Sequence, residues 1–136
     1  KVEGRADVLV YQTQPLTADM EVTGPVQVVL YAASTARDTD FTAKLVDVHP
    51  DGKAYNLSNG IIRASSRETL ERRIPITPGK VYEYKIDLWP TANLFRAGHR
   101  IALEISSSNF PHYDANPNTG AKHGTTTAVR IAASRR

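Results

Sequence analysis

Residues of the types found in a hydrolytic triad lie close together in the last third of the sequence. They are Ser106, Ser107 and Ser108, with His99, His112 and Asp114 on either side. In a triad, a histidine takes the proton of a serine hydroxyl and an acid orients the histidine, but the arrangement is defined by geometry rather than by sequence proximity. Ser106 and Ser107 continue a predicted strand, and the chain contains no Gly-x-Ser-x-Gly elbow. We therefore predict no catalytic residue here.

Acidic residues occur at two further places that resemble acid/base or cation sites. Asp38 and Asp40 precede a predicted strand, where acids usually accept hydrogen bonds from backbone amides at a bend. The stretch 114–120 resembles the start of a calcium loop, but its sixth position is Thr119 instead of glycine and its twelfth is Thr125 instead of glutamate. We interpret the first pair as structural and the second stretch as a surface turn.

No metal ligands or cofactor-binding residues are predicted. His49 precedes Pro50 and His123 precedes Gly124, and neither histidine has a second ligand at the usual sequence spacing, so both are expected to be solvated. The chain has no cysteine, which excludes a disulfide framework, a thiolate metal site and a thiol nucleophile.

Aromatic residues are concentrated beside two predicted loops. Trp89 precedes Pro90, and Phe110, His112 and Tyr113 form a second group. Such residues anchor contacts between domains, and they also form the stacking face of sugar-binding sandwiches. We favour an inter-domain contact through Trp89, Phe110, His112 and Tyr113, while ligand binding, and core packing of Trp89, remain alternatives.

The length and composition of the chain are sufficient for one hydrophobic core and argue against nucleic acid and membrane as partners. The 136 residues are 40% hydrophobic and carry a formal net charge of +3, with the basic residues spread along the chain. A chain of this size supports one domain, and dispersed charge without interleaved aromatics argues against nucleic-acid binding. No apolar run approaches the ~20 residues of a membrane span. We therefore expect one domain, residues 1–136, that binds neither nucleic acid nor membrane.

The elements that must position these residues are short strands separated by turns. Alternating apolar residues and β-branched content predict strands over Val8–Tyr11, Met20–Thr23, Val26–Ala33, Phe41–Val48, Ala54–Leu57, Val81–Leu88, Arg100–Ser107 and Thr126–Ala132. Reversals are predicted at Gly24-Pro25, Asp51-Gly52, Asn59-Gly60, Pro78-Gly79 and Ala97-Gly98. One helix is predicted over Ser65–Arg73 from its capping-box spacing. The pattern indicates an all-β, antiparallel two-sheet sandwich of the jelly-roll type, with a small barrel as the alternative.

Several segments in this order resemble a known domain. They are 7–11, 21–24, 38–52, 60–63, 87–93, 98–101, 106–111 and 118–120, with sequences such as Gly-His-Arg-Ile at 98–101 and Ser-Ser-Ser-Asn-Phe-Pro at 106–111. Together they resemble the C-terminal β-sandwich of the family that contains bacterial cocaine esterase, X-Pro dipeptidyl-peptidase, α-amino-acid ester hydrolases and cephalosporin acylases. The resemblance also implies a galactose-binding-domain-like fold.

The resemblance implies a parent enzyme whose chemistry lies elsewhere. Members of the family carry the serine, acid and histidine on an upstream α/β-hydrolase domain with a helical cap, and none of these positions matches residues 1–136. The implied role is a non-catalytic accessory domain of a serine ester or amide hydrolase, whose partners are the catalytic and cap domains and, through them, a small substrate. The family's sandwich has further strands before the Asp7 region and after the Arg130 region, so we expect a fragment that lacks them.

An autonomous carbohydrate- or ligand-binding module is the alternative function, since jelly-roll sandwiches also host lectins. Exposed strand edges would allow copies of the chain to pair, so a homo-oligomer is left open. The sequence does not decide between cytoplasm and periplasm.

Overall fold

Seven strands make up nearly all the regular structure in the part of the chain that is described. The structure, a computed structural model, describes residues 7–121 and 134–135. The strands are β1 (Leu9–Gln12), β2 (Met20–Ser34), β3 (Asp40–Val48), β4 (Ala54–Arg63), β5 (Tyr82–Phe95), β6 (Arg100–Ser106) and β7 (Ser134–Arg135), and a 3-10 turn (Ala64–Ser66) follows β4.

The strands form two antiparallel sheets. The first has the order β1-β6-β3-β4 and the second the order β5-β2-β7. In the first sheet, β3 pairs Ala43 with Ile105 of β6 on one side and with Gly60 of β4 on the other. This arrangement confirms the predicted all-β antiparallel sandwich, while its likeness to galactose-binding domains stays a prediction.

The core lies between the two sheets and is supplied by alternate residues of their strands. Tyr84, Ile86 and Leu88 of β5 are at most 1% exposed, and they pack with Phe41 of β3 and Ile105 of β6. The rings of Phe41 and Tyr84 lie 4.8 Å apart. The period-two pattern of the sequence therefore identified the buried face of these strands correctly.

Alternating apolar residues on Phe41–Val48 predict a strand with one buried and one solvated face, but β3 is buried on parts of both faces. Phe41, Ala43 and Leu45 face the core as expected, but Thr42 and Val46 on the opposite face are 1% and 2% exposed. On this face Thr42 lies between Ile61 of β4 and Ser106 of β6, and its hydroxyl is 2.7 Å from the Ser106 hydroxyl.

Two predicted reversals are absent because the chain continues as a strand. Gly24-Pro25 lies inside β2 and Asn59-Gly60 inside β4, so the two predicted strands of residues 20–33 are one. Near Pro25 the pairing with β5 shifts, because Val26 is opposite both Leu88 and Trp89. A bulge therefore accommodates the turn-forming residues without reversing the chain.

The predicted helix over Ser65–Arg73 was wrong as well. Only the 3-10 turn forms there, because the stretch has no broad apolar stripe to bury. Two of its arginines instead contact groups outside the predicted helix. Arg67 donates to the carbonyl oxygens of Ala64 and Ile74, and Arg73 pairs with Asp38. The turns at Gly52, Gly79 and Gly98 are confirmed, each glycine having a φ between 81° and 83°. The predicted strand over Thr126–Ala132 lies outside the described residues.

Candidate functional site

One candidate triad histidine, His99, is separated from the candidate serines by the length of a strand. His99 immediately precedes β6 and Ser106 ends it, so seven residues at about 3.3 Å each hold the two side chains roughly 20 Å apart. The Ser106 hydroxyl lies 2.7 Å from the Thr42 hydroxyl and donates to the carbonyl oxygen of Ser108. The structure therefore does not bring His99 together with these serines, and it gives Ser106 a structural hydrogen-bond role.

Asp38 and Asp40 are buried in a network of hydrogen bonds. Asp38 accepts from the backbone amide of Ser65 at 2.9 Å, as the sequence predicted, and pairs with Arg73. Asp40 accepts two hydrogen bonds from the guanidinium of Arg63, at 2.9 and 3.0 Å. That hydrogen bonding raises the pKa of Arg63 against the opposing effect of its burial. Both acids are thus held as partners of arginines.

The same network holds the segment that resembled a calcium loop. The side-chain amide of Asn116 donates to Asp40 at 2.7 Å and contacts Asp38 at 3.4 Å, while Arg73 donates to the carbonyl oxygen of Ala121. Asn116 also accepts from the backbone amide of Asn118, which has a φ of 61°. The segment 109–121 is therefore a surface turn, and hydrogen bonds to the buried acids Asp38 and Asp40 hold it against the sandwich.

The four predicted contact residues are exposed to different degrees and lie in two places. Trp89 is 67% exposed, because the β5 bulge gives it a φ of 68° and turns its ring outward, which rules out core packing. Phe110 is 72% exposed, and His112 packs edge-on against Tyr113. The Tyr113 hydroxyl donates to Asn59 on the outer face of β4.

Tyr113 lines a groove of about 580 Å³ that runs along the edge where β4 and β5 meet. Its other lining side chains include charged residues of both signs and three aliphatic residues; they are Asp40, Ile61, Ile62, Arg63, Ser66, Leu70, Lys85, Asp87 and Asp114. Leu70 is 92% exposed. Sequence reasoning missed Leu70, although a single leucine among arginines and glutamates is the signal that could have identified it.

A cluster of two histidines and an acid lies at the other end of β3. His99 Nδ1 is 2.9 Å from Asp47 Oδ1, and His49 Nε2 is 3.5 Å from Asp47 Oδ2. The two imidazole rings are 4.1 Å apart, and His49 also packs against Tyr55 at 4.6 Å. His49 is therefore only partly solvated, and it lies beside a second histidine that is not at metal-ligand spacing in the sequence. The second histidine is 50 positions away, and only the pairing of β3 with β6 places it there; His123 lies outside the described residues.

The described part of the chain contains no helix long and apolar enough to cross a membrane.

Known proteins with similar sequences and structures are large hydrolases. The chain is 54% identical over 119 residues to cocaine esterase of Rhodococcus sp. (strain MB1 Bresler), covering 88% of this chain and 21% of that protein. It resembles an α-amino acid ester hydrolase with a TM-score of 0.89 and 32% identity, covering 98% of this chain and 24% of the hydrolase. An aminopeptidase from a Thaumarchaeota archaeon gives a TM-score of 0.84 and 38% identity, covering 87% and 21% of the two chains.

The chain thus spans about a fifth of the length of these relatives. Residues 1–134 match the family described as the X-Pro dipeptidyl-peptidase C-terminal non-catalytic domain. This agrees with the separation of His99 from the serines. The chain belongs to the family of X-Pro dipeptidyl-peptidase C-terminal non-catalytic domains.

Proposed function

We propose that this domain docks on the catalytic and cap domains of a serine acyl hydrolase, stabilises the catalytic domain and helps to shape its substrate site. The parent's reaction would be hydrolysis of a small ester or amide. The observation that carries the proposal is the exposure of large apolar side chains at three places. Leu70 in the groove is 92% exposed, Phe110 beside Lys44 and Glu104 is 72% exposed, and Trp89 on the β5 bulge is 67% exposed.

Exposed side chains of this size support a contact surface because burying them on association removes apolar area from water. Aromatic anchors near the centre of an interface carry much of its binding energy. Here the apolar residues stand beside charged ones, since Lys85 and Asp87 line the same groove as Leu70. An apolar centre with a polar rim is the usual composition of such an interface.

The relatives support the catalytic portion of a parent enzyme as the partner. About four fifths of cocaine esterase lies outside the part that this chain matches. Domains of one chain are held at high effective concentration, so a modest apolar surface is enough for stable docking.

The proposal is tested by making Phe110→Ala in the 136-residue chain and in the full-length hydrolase that contains it. In the isolated chain we expect unfolding free energy to change by no more than about 0.5 kcal/mol, since the side chain is exposed. In the full-length protein we expect docking to weaken by more than about 1 kcal/mol. Thermal and urea unfolding of both proteins measure the difference.

Met20→Ala is the matched control, because Met20 is 44% exposed at the end of β2 that pairs with Phe95, away from the groove residue Lys85. It should have equal, small effects in both proteins. Equal losses from Phe110→Ala in the two proteins would contradict docking through Phe110.

A ligand-binding module is the second candidate, and the groove is the observation that favours it. Tyr113 presents an aromatic ring there beside Asp87 and Asp114, and sugars bind through aromatic stacking and carboxylate hydrogen bonds. Titration of the isolated chain with simple oligosaccharides, followed by NMR, tests this. Saturable binding that Tyr113→Ala abolishes would support it, while unchanged spectra would leave docking as the function of the groove.

A further inference from the structure

We propose that Asp47, His49 and His99 form a binding site for a divalent transition-metal ion of the zinc class. The three residues come from the end of β3, the following turn and the turn before β6. One potential ligand atom from each lies within 4.8 Å of the others. This site is independent of the docking surface, because Asp47 and the groove residue Asp40 are at opposite ends of β3.

The distances suit tetrahedral coordination after a small movement of one side chain. Bonds of about 2.0–2.1 Å to a central Zn²⁺ place neighbouring ligand atoms roughly 3.4 Å apart. With Asp47 Oδ2 as the ligand atom, its separations from His99 Nδ1 and His49 Nε2 are 3.2 and 3.5 Å, on either side of that value. The remaining separation, between the histidines, needs the most adjustment. His49 can supply it, since its side chain is 35% exposed, against 14% for His99.

The donor set selects the kind of ion. Two imidazole nitrogens and one carboxylate suit Zn²⁺, Co²⁺ and Ni²⁺, whereas Ca²⁺ and Mg²⁺ require more oxygen ligands. Asp47 supplies the negative charge, and its side chain is 10% exposed, so the charge is partly shielded from water. Three protein ligands leave a further coordination position for water on the exposed His49 side.

The surrounding structure already holds two of the three ligands in place. The backbone amide of Leu16 donates to the carbonyl oxygen of His99, and the amide of Gly98 donates to the carbonyl oxygen of Leu16. Asp47 is fixed by its strand position opposite Ile101. A rigid pair of ligands reduces the entropy lost on metal binding.

A hydrogen-bonded Asp–His pair that supports the turn would explain Asp47 and His99 alone. It does not require His49, whose Nε2 points to the same carboxylate. Dependence of metal binding on His49 therefore distinguishes a metal site from a structural hydrogen bond. A bound ion would also link the β3–β4 turn to the β5–β6 turn.

The test is metal binding to the 136-residue chain, measured by the visible absorption of Co²⁺ and by the shift of Tm with Zn²⁺. We expect one tightly bound Co²⁺ and a Tm rise on the order of 5 °C when Zn²⁺ is about 100-fold above its Kd. Ca²⁺ and Mg²⁺ should give no comparable shift. His49→Phe keeps an aromatic ring against Tyr55 and should weaken Co²⁺ binding at least about tenfold.

His112→Phe is the matched control, because His112 is exposed and lies in another part of the fold. Asp47→Asn is a second variant that keeps an acceptor for His99 but removes the charged ligand, and it should weaken binding as well. Absence of binding to the native chain, equal affinity of native and His49→Phe proteins, or an equal Tm rise with Ca²⁺ would overturn the proposal.

Discussion

Tyr84 is one of three described residues that have a buried side-chain polar atom without a hydrogen-bond partner. It is fully buried, and its hydroxyl has no hydrogen-bond partner among the residues that the structure describes. Burial raises the pKa of Tyr84 to about 12, because the phenolate would lack solvation. The ring supports the core through Phe41, while the hydroxyl contributes nothing comparable.

Tyr84→Phe should therefore leave the unfolding free energy unchanged or raise it by up to about 1 kcal/mol, since it removes an unsatisfied polar group. Tyr113→Phe is the matched change: it loses the hydrogen bond to Asn59 and should cost about 1 kcal/mol. Urea denaturation of both variants measures this. A loss above about 1 kcal/mol in Tyr84→Phe would mean that the hydroxyl has a partner.

Asp19 links the turn before β6 to the segment before β2 and should give a local acid dependence. The backbone amide of Ala97 and the guanidinium of Arg96 both donate to its carboxylate and lower its pKa. A lowered folded pKa means that the contribution of Asp19 to stability is present above its unfolded pKa and is lost as pH falls through the folded value.

The Asp19 carboxyl should accordingly titrate below its ordinary range in an NMR pH series. Asp19→Asn should lower stability at neutral pH, and the difference from the native chain should shrink in acid. An ordinary pKa for Asp19, or a difference between the two proteins that does not change with pH, would show that the contacts to Arg96 and Ala97 do not persist in solution.

At the scale of the element, the meeting of β4 and β5 closes one edge of the sandwich. Gly60 permits this approach, because a Cβ at that position would overlap the carbonyl oxygen of Asp87. The Ser58 hydroxyl also donates to the carbonyl oxygen of Leu88. The glycine is thus required for packing, although the sequence had suggested a turn there.

Gly60→Ala should destabilise the chain by about 3 kcal/mol, because the strands must separate to make room for the methyl group. Asn56→Ala, at an exposed position of the same strand, should stay within about 0.5 kcal/mol of the native chain. Thermal unfolding of the two variants tests the expectation, and a Gly60→Ala protein as stable as the control would contradict the close approach of β4 and β5.

The strands were predictable from sequence where local pattern and tertiary burial agree. Alternation in 81–88 and 100–107 matches the first half of β5 and nearly all of β6, whose alternate side chains enter the core. β5 continues to Phe95, so Trp89-Pro90 lies inside a strand and not beside a loop. The prediction failed at Gly24-Pro25 and Asn59-Gly60, where strand pairing overrode turn preference. It failed at 65–73, where Arg73 contacts Asp38 and the carbonyl oxygen of Ala121, both distant in sequence.

At the scale of the whole molecule, the candidate sites depend on contacts between distant parts of the chain. The exposure of Trp89 comes from a bulge set by the pairing of β2 with β5, and the histidine cluster from the pairing of β3 with β6. The sequence was enough to identify the aromatic residues as candidate contact residues. It could not show where the groove lies or that His49 and His99 are neighbours. The prediction that the chain holds no catalytic residue rested on a missing motif and the family resemblance, and it stays a prediction.

The central claim is that this domain serves a serine hydrolase without supplying its nucleophile. Labelling with a fluorophosphonate probe, followed by peptide mapping, tests it on the 136-residue chain and on the full-length hydrolase that contains it. We predict label on a serine of the full-length protein outside this domain and none on the isolated chain. Label on Ser106, Ser107 or Ser108 would contradict the claim, and a full-length protein that takes up no label would contradict the assignment of the parent as a serine hydrolase.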